Sequence, residues 1–167
     1  MAASTATIEG LDTLLRRLKA LGPEASKRGG PVRAAVRKGA VVIQKAMQAN
    51  VQQIVQTPNV GGSDVSTGTL VKSIKPIRAK TPKKYNGETY FVTIPRAARY
   101  PVDSRTPSGI GVATVGKMLE YGTSKRRPMP WARPAFHAKS GEAAQVMASE
   151  LEKGIAKLER KVAQTVR

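Results

Sequence analysis

There is no cysteine in this chain, so it can form neither a disulfide nor a thiolate metal site, which predicts a protein made in a reducing cytoplasm. It has one histidine, His137, and a lone imidazole builds neither a His-rich metal centre nor, without a thiol, a Cys–His nucleophile. Acidic residues number eleven, and Glu150 and Glu152, the closest pair, point apart on a helix. Neither G-x-S-x-G nor S-x-x-K occurs. The Gly61-Gly62-Ser63-Asp64 stretch lacks the G-x-x-x-x-G-K-[ST] pattern of a phosphate loop, and Asp64 would oppose a phosphate. We therefore expect no enzyme, no catalytic residues, no metal and no cofactor. Aromatics are 4% of the chain, so the core must be built from Val, Ile, Leu, Ala and Met. No run of eighteen apolar residues is present to span a membrane, and MAASTATIEG lacks the basic start and apolar stretch of a signal peptide.

Positive charge is abundant. The 167 residues carry 29 Lys and Arg, for a net charge of +18. Residues 70–139 hold fifteen of these against Glu88, Asp103 and Glu120, whereas residues 140–167 are nearly balanced, five against four. Such a field attracts nucleic acid or an acidic protein surface and says nothing about fold. The charge clusters RAARY and SKRR support a basic, non-enzymatic DNA-binding protein as one reading, but aromatics for stacking single strands are few and no standard nucleic-acid signature is present. A ribosome- or membrane-associated protein lacks the amphipathic basic helix it would need.

The length is that of a single domain, 1–167. Periodicity predicts a helix over about 8–21, with Ile8, Leu11, Leu14, Leu15, Leu18 and Leu21 on one face, and a second over 31–56 opened by Pro31. A helical turn at 68–74 leads to strand 74–79, and alternation of Tyr90, Val92 and Ile94 with Phe91 and Thr93 makes 88–95 a second strand. Asn86-Gly87 turns the hairpin. The stretch 95–112, PRAARYPVDSRTPSGIGV, is a long basic loop. A long final helix follows over about 134–163, its apolar side formed by Ala143, Val146, Met147, Leu151, Ile155, Leu158 and Val162, and weakened at Gly141 and Gly154. The predicted class is α+β, a small antiparallel β-sheet packed against the N-terminal helices and the long C-terminal helix.

Lys117–Phe136, KMLEYGTSKRRPMPWARPAF, is the most distinctive segment. A short helix over about 114–121, with Val115, Met118, Leu119 and Tyr121 at apolar positions, stops at Gly122. Pro128, Pro130 and Pro134 should hold residues 124–134 extended, a stiff strut bearing Trp131 and Phe136, with Pro134 opening the last helix. Trp131 should face the core of its own subunit, since so few aromatics are available. Arg96, Arg99, Arg105, Lys125, Arg126 and Arg127 lie in segments with little capacity to bury charge, so they should make contacts outside their own subunit with a neighbour, a partner or DNA.

Glu120, Tyr121, Gly122, Thr123, Arg133, Pro134, Ala135 and Phe136 resemble the E-[FY]-G-T … A-R-P-F segment of the tail-component (neck or tail-completion) family of long-tailed bacteriophages, with different spacing in the Arg-Pro part. Thr67, Gly68 and Leu70, followed by Ser73 and Ile74, resemble that family's T-G-x-L-x-x-S-I entry into its sheet, and the resemblance covers roughly residues 8–163. It implies a structural virion protein, synthesised in the host cytoplasm and placed at the head–tail junction. Such a subunit would form a homo-oligomeric ring around the DNA channel, a hexamer in preference to a dodecamer. It would meet head-closure (adaptor) and tail-terminator or tail-tube proteins and touch double-stranded DNA non-specifically. The long loop Arg96–Gly111 departs from the shorter connection expected of the family.

Overall fold

In the computed structural model, which describes residues 11–21, 30–56, 68–80, 87–100 and 109–165, the chain runs α1 (Leu11–Ala20), α2 (Pro31–Gln56), α3 (Thr69–Ser73), β1 (Lys75–Arg78), β2 (Tyr90–Thr93), α4 (Val112–Tyr121) and α5 (Ala132–Thr165). It is an α+β fold, mostly helical, with one two-stranded sheet among the described residues. Pro31 is the first residue of α2, where a missing N–H is not needed. The sheet is antiparallel, and beyond its last paired residues Ala79 N–H donates to the Thr89 carbonyl at 2.9 Å, which sets residue 79 opposite 89. Ile8 and the Asn86-Gly87 turn fall partly or wholly outside the described residues, as do Thr67, Asp103 and Arg105. The described residues fall into two compact units.

One unit comprises the described parts of Met1–Val42, Arg78–Phe91 and Ser140–Arg167. Leu14, Ala35, Ala143 and Ile155 are buried, while Leu15, expected on the apolar face of the first helix, is exposed. Val162 is also exposed, so the inward side of α5 ends before it. Two glycines allow close approach. A Cβ on Gly39 would lie 2.4 Å from Met147 Cγ, and one on Gly154 would lie 2.4 Å from Pro31 Cβ. Gly154 is therefore a packing residue rather than a simple weakness in the helix. Arg17 donates to both Glu159 oxygens, at 2.9 and 2.6 Å, and Lys38 meets Glu150 at 2.7 Å. Arg78 Nε donates to Glu88 at 2.7 Å.

The other unit comprises the described parts of Ile43–Ile77 and Val92–Lys139. Its core is Ile43, Met47, Val51, Leu70, Ile74, Ile94, Val112, Leu119, Trp131 and Ala135. Ile43, Met47 and Val51 recur every four residues and so form one ridge of α2. Between them Gln44 Nε2 donates to the Ile74 carbonyl at 2.8 Å and Gln48 Nε2 to that of Val71 at 3.0 Å, satisfying the open C-terminal end of α3. Gly68, at φ +67°, admits the chain to α3 in the left-handed region. The long basic loop is closed at its base: Tyr100 N–H donates to the Ile110 carbonyl at 2.9 Å and Val112 N–H to that of Ala98 at 3.0 Å. Burial of Tyr100 pushes its phenol above the ordinary value.

Candidate partner-binding surface

The inward face of α4 is Val112, Gly116, Leu119 and Glu120, at i, i+4, i+7 and i+8. The sequence reading placed Val115, Met118, Leu119 and Tyr121 on that face. The helix begins earlier, at Val112, and its inward stripe runs through a glycine and a glutamate that an apolar count passes over. Met118 and Tyr121 are consequently 46% and 66% exposed. Gly116 makes room for Trp131, since a Cβ there would sit 2.8 Å from Ile94 Cδ1 and 3.3 Å from Trp131 Cζ2. The indole N–H of Trp131 donates to the Gly116 carbonyl at 2.9 Å, and Asn50 Nδ2 donates to the Trp131 carbonyl at 3.0 Å. Trp131 is thus buried in its own unit with its polar atoms satisfied.

Glu120, 4% exposed, is the buried charge at this junction. Its Oε2 accepts the N–H groups of Trp131 at 2.7 Å and Ala132 at 2.8 Å, and its Oε1 accepts the Arg133 N–H at 3.2 Å and Nε at 2.9 Å. Helix α5 starts at Ala132, so these backbone donors belong to a first turn that has no carbonyls to bond within its own helix. Pro134 is the third residue of α5 rather than its opening residue, and it has no N–H to satisfy. A carboxylate from α4 therefore caps α5, where the helix dipole favours negative charge. Burial opposes ionisation of Glu120, but the N–H groups of Ala132 and Trp131, then the guanidinium and N–H of Arg133, outweigh it and hold the carboxyl below its ordinary value.

Between the two helices the chain turns tightly. Gly122, at φ +79° and ψ −178°, ends α4, its N–H donating to the Met118 carbonyl at 2.9 Å. Thr123 N–H donates to the Arg126 carbonyl at 2.9 Å and Arg126 N–H returns to that of Thr123 at 3.3 Å. Residues 124–125 are therefore a turn, not the extended strut expected, because the flanking Thr123 and Arg126 pair with each other before the prolines begin. Residues 127–130 form neither helix nor strand and are pinned by Met129 N–H donating to the Leu119 carbonyl at 2.7 Å. Lys125 and Arg127 are exposed on this turn and Arg126 is half-buried. Phe136 lies within α5, 53% exposed and edge-on to His137 at 6.1 Å, rather than in the strut. Arg96 and Arg99 are exposed near the base of the long loop, where Arg99 Nη1 reaches the Gly109 carbonyl at 3.4 Å. In the sheet-entry motif Leu70 and Ile74 are buried and Ser73 is half-buried.

Charge is distributed very unevenly. The described residues of the unit holding this junction include eleven Lys and Arg against one acid, the buried Glu120. The other unit has twelve against six, with the ion pairs of Arg17, Lys38, Arg78 and Lys153 inside it. Among the described residues no three His, Asp or Glu side chains gather as a metal site, and no helix is long and apolar enough to cross a membrane.

The family model described as "Bacteriophage HK97-gp10, putative tail-component" matches residues 12–122. The matched stretch ends at Gly122, so the basic turn, Trp131 and α5 lie beyond it. No curated protein and no solved structure gives a significant match.

Proposed function

Because this chain belongs to the HK97-gp10-like tail-component family of bacteriophages, we propose that it is a non-enzymatic neck or tail-completion subunit of the virion, at the head–tail junction. In this reading copies form a ring around the DNA channel, a hexamer by preference. One face meets a head-closure or adaptor protein and the other a tail-terminator or tail-tube protein. The observation that carries it is the junction of α4 and α5. A buried carboxylate and the positive-φ Gly122 fix a turn whose exposed Lys125 and Arg127 have no acidic residue between positions 121 and 141. A fixed cationic turn suits docking on an acidic neighbour or on channel DNA, since ordering it costs little on assembly.

Electron microscopy of lysates made without the protein tests the assignment. Filled heads beside separate tails are expected, and complete infectious virions would contradict it. The high cation count of this unit favours one other reading, a basic DNA-binding protein acting outside the virion. A sequence-selective affinity for short duplexes that survives high salt would support that reading instead, because purely phosphate-based binding falls steeply with salt.

A further inference from the structure

We infer that the exposed corner formed by α4 and the first turns of α5 is a docking surface for a protein segment carrying carboxylates beside a bulky apolar side chain, with Met118, Tyr121 and Phe136 as apolar contacts and Arg133 and Lys117 as cationic ones. On α4, Lys117, Met118 and Tyr121 share the outward side of the helix, and all three are exposed. The Arg133 guanidinium lies 5.0 Å from the centroid of the Tyr121 ring, which joins that side to α5. Phe136 is one helical turn beyond Arg133. A chain with so few aromatics thus leaves two of them in water on adjoining helices, next to a flexible thioether.

Arg133 is the anchor. Its Nε is held by Glu120 at 2.9 Å and its plane lies over Tyr121, while the side chain stays 60% exposed. Glu120 engages Nε, so the terminal nitrogens are left for a planar anion, and the fork is positioned before any ligand arrives. Aromatic residues, Met and Arg beside one another are the composition of interface cores. The charge around them selects an acidic occupant, since the unit carries eleven cations and its one described acid is buried. A second copy placing this same surface against it would bring two cationic surfaces together and be repelled. Duplex DNA would satisfy Arg133 and Lys117 but offers its phosphates no use for Phe136, Tyr121 and Met118, which gain free energy only against apolar surface. The inference rests on the assembly reading only in requiring a protein partner, and not on the neck position.

The test uses the purified full chain and three probes: a synthetic peptide in which glutamates flank a Leu-Phe pair, the same peptide with Ser in place of Leu and Phe, and a short duplex DNA. NMR titration with the Leu-Phe peptide should shift the signals of Tyr121, Phe136 and Arg133 Nε. The Ser peptide should bind about tenfold more weakly, as one lost hot-spot contact implies. The double variant Tyr121→Ser, Phe136→Ser should lose a similar factor while its melting temperature stays near that of the parent. The inference is overturned if neither peptide shifts these signals, if both bind equally, or if DNA alone engages these residues. Concentration-dependent self-association abolished by the double variant would also overturn it, in favour of a second copy, as would a large fall in melting temperature. Failure here leaves the lysate phenotype unaffected, so the two readings fail separately.

Discussion

At Glu120 two carboxylate oxygens meet four donors, three backbone N–H groups and one guanidinium nitrogen. Replacement by Gln keeps the shape but turns one acceptor into a donor facing donors, so Glu120→Gln should destabilise the fold by about 1.5–3 kcal/mol, the range for hydrogen bonds to a charged group. Little of this comes from the ion pair as such, because Arg133 is largely in solvent. Thermal unfolding of the variant measures it, and a loss within error would show that the cap is dispensable. The pH dependence follows from the lowered folded-state value. The ionised form is the one the fold binds, so the contribution is complete above the ordinary glutamate value of about 4.3 and is lost as pH falls through the lower folded-state value. Acid unfolding should therefore begin in that window, and Glu120→Gln should flatten this limb without abolishing it, since Glu150 beside Lys38 and Glu159 beside Arg17 are also held low. Gly122 is the second sensitive residue. Its φ and ψ are occupied essentially by glycine alone, and a Cβ would lie 2.8 Å from the Pro128 nitrogen, so Gly122→Ala should cost about 3 kcal/mol.

Within α5 two glycines should respond with opposite sign to the same substitution. Gly141 is exposed with nothing near its missing Cβ, so Gly141→Ala should stabilise the protein by about 0.5–1 kcal/mol through helix propensity. Gly154 faces Pro31, whose ring cannot move aside as a flexible side chain would, and Gly154→Ala should destabilise by about 1–3 kcal/mol despite the same propensity gain. Paired melting curves decide, and equal shifts in one direction would contradict this packing. The comparison also shows what was legible. Sequence periodicity found α2 with its ends at Pro31 and Gln56, both strands within a few residues, and a helix stop at Gly122, because these depend on local pattern and backbone chemistry. It read Gly154 as a weakness because a contact more than a hundred residues distant leaves no local trace. The start of α5 also escapes a local count, although its cap lies only twelve residues upstream. Pro134 looks like an opening residue, but the cap that permits an earlier start comes from Glu120 in another helix.

For the whole molecule, the sequence shows positive charge concentrated in the middle of the chain, and the structure adds that one unit sets twelve described cations against six acids with several ion pairs, while the other sets eleven against the buried Glu120 alone. The motif residues around Glu120 were legible by resemblance, whereas their physical roles were not. A buried glutamate and an outward tyrosine are side-chain orientations that no count of apolar residues supplies. Exchanging Lys125 and Arg127 for Ser should leave the melting temperature almost unchanged, as surface substitutions usually do, while reducing the yield of joined particles. A large loss of stability would show instead that these side chains hold the fold. The central claim, a structural subunit at the head–tail junction, is tested most directly by cryo-electron microscopy of intact virions. It predicts ring-shaped density at the junction, surrounding the DNA path, into which α2, α4 and α5 can be fitted. Virions with no copy of this chain, or with copies found only away from the junction, would contradict it.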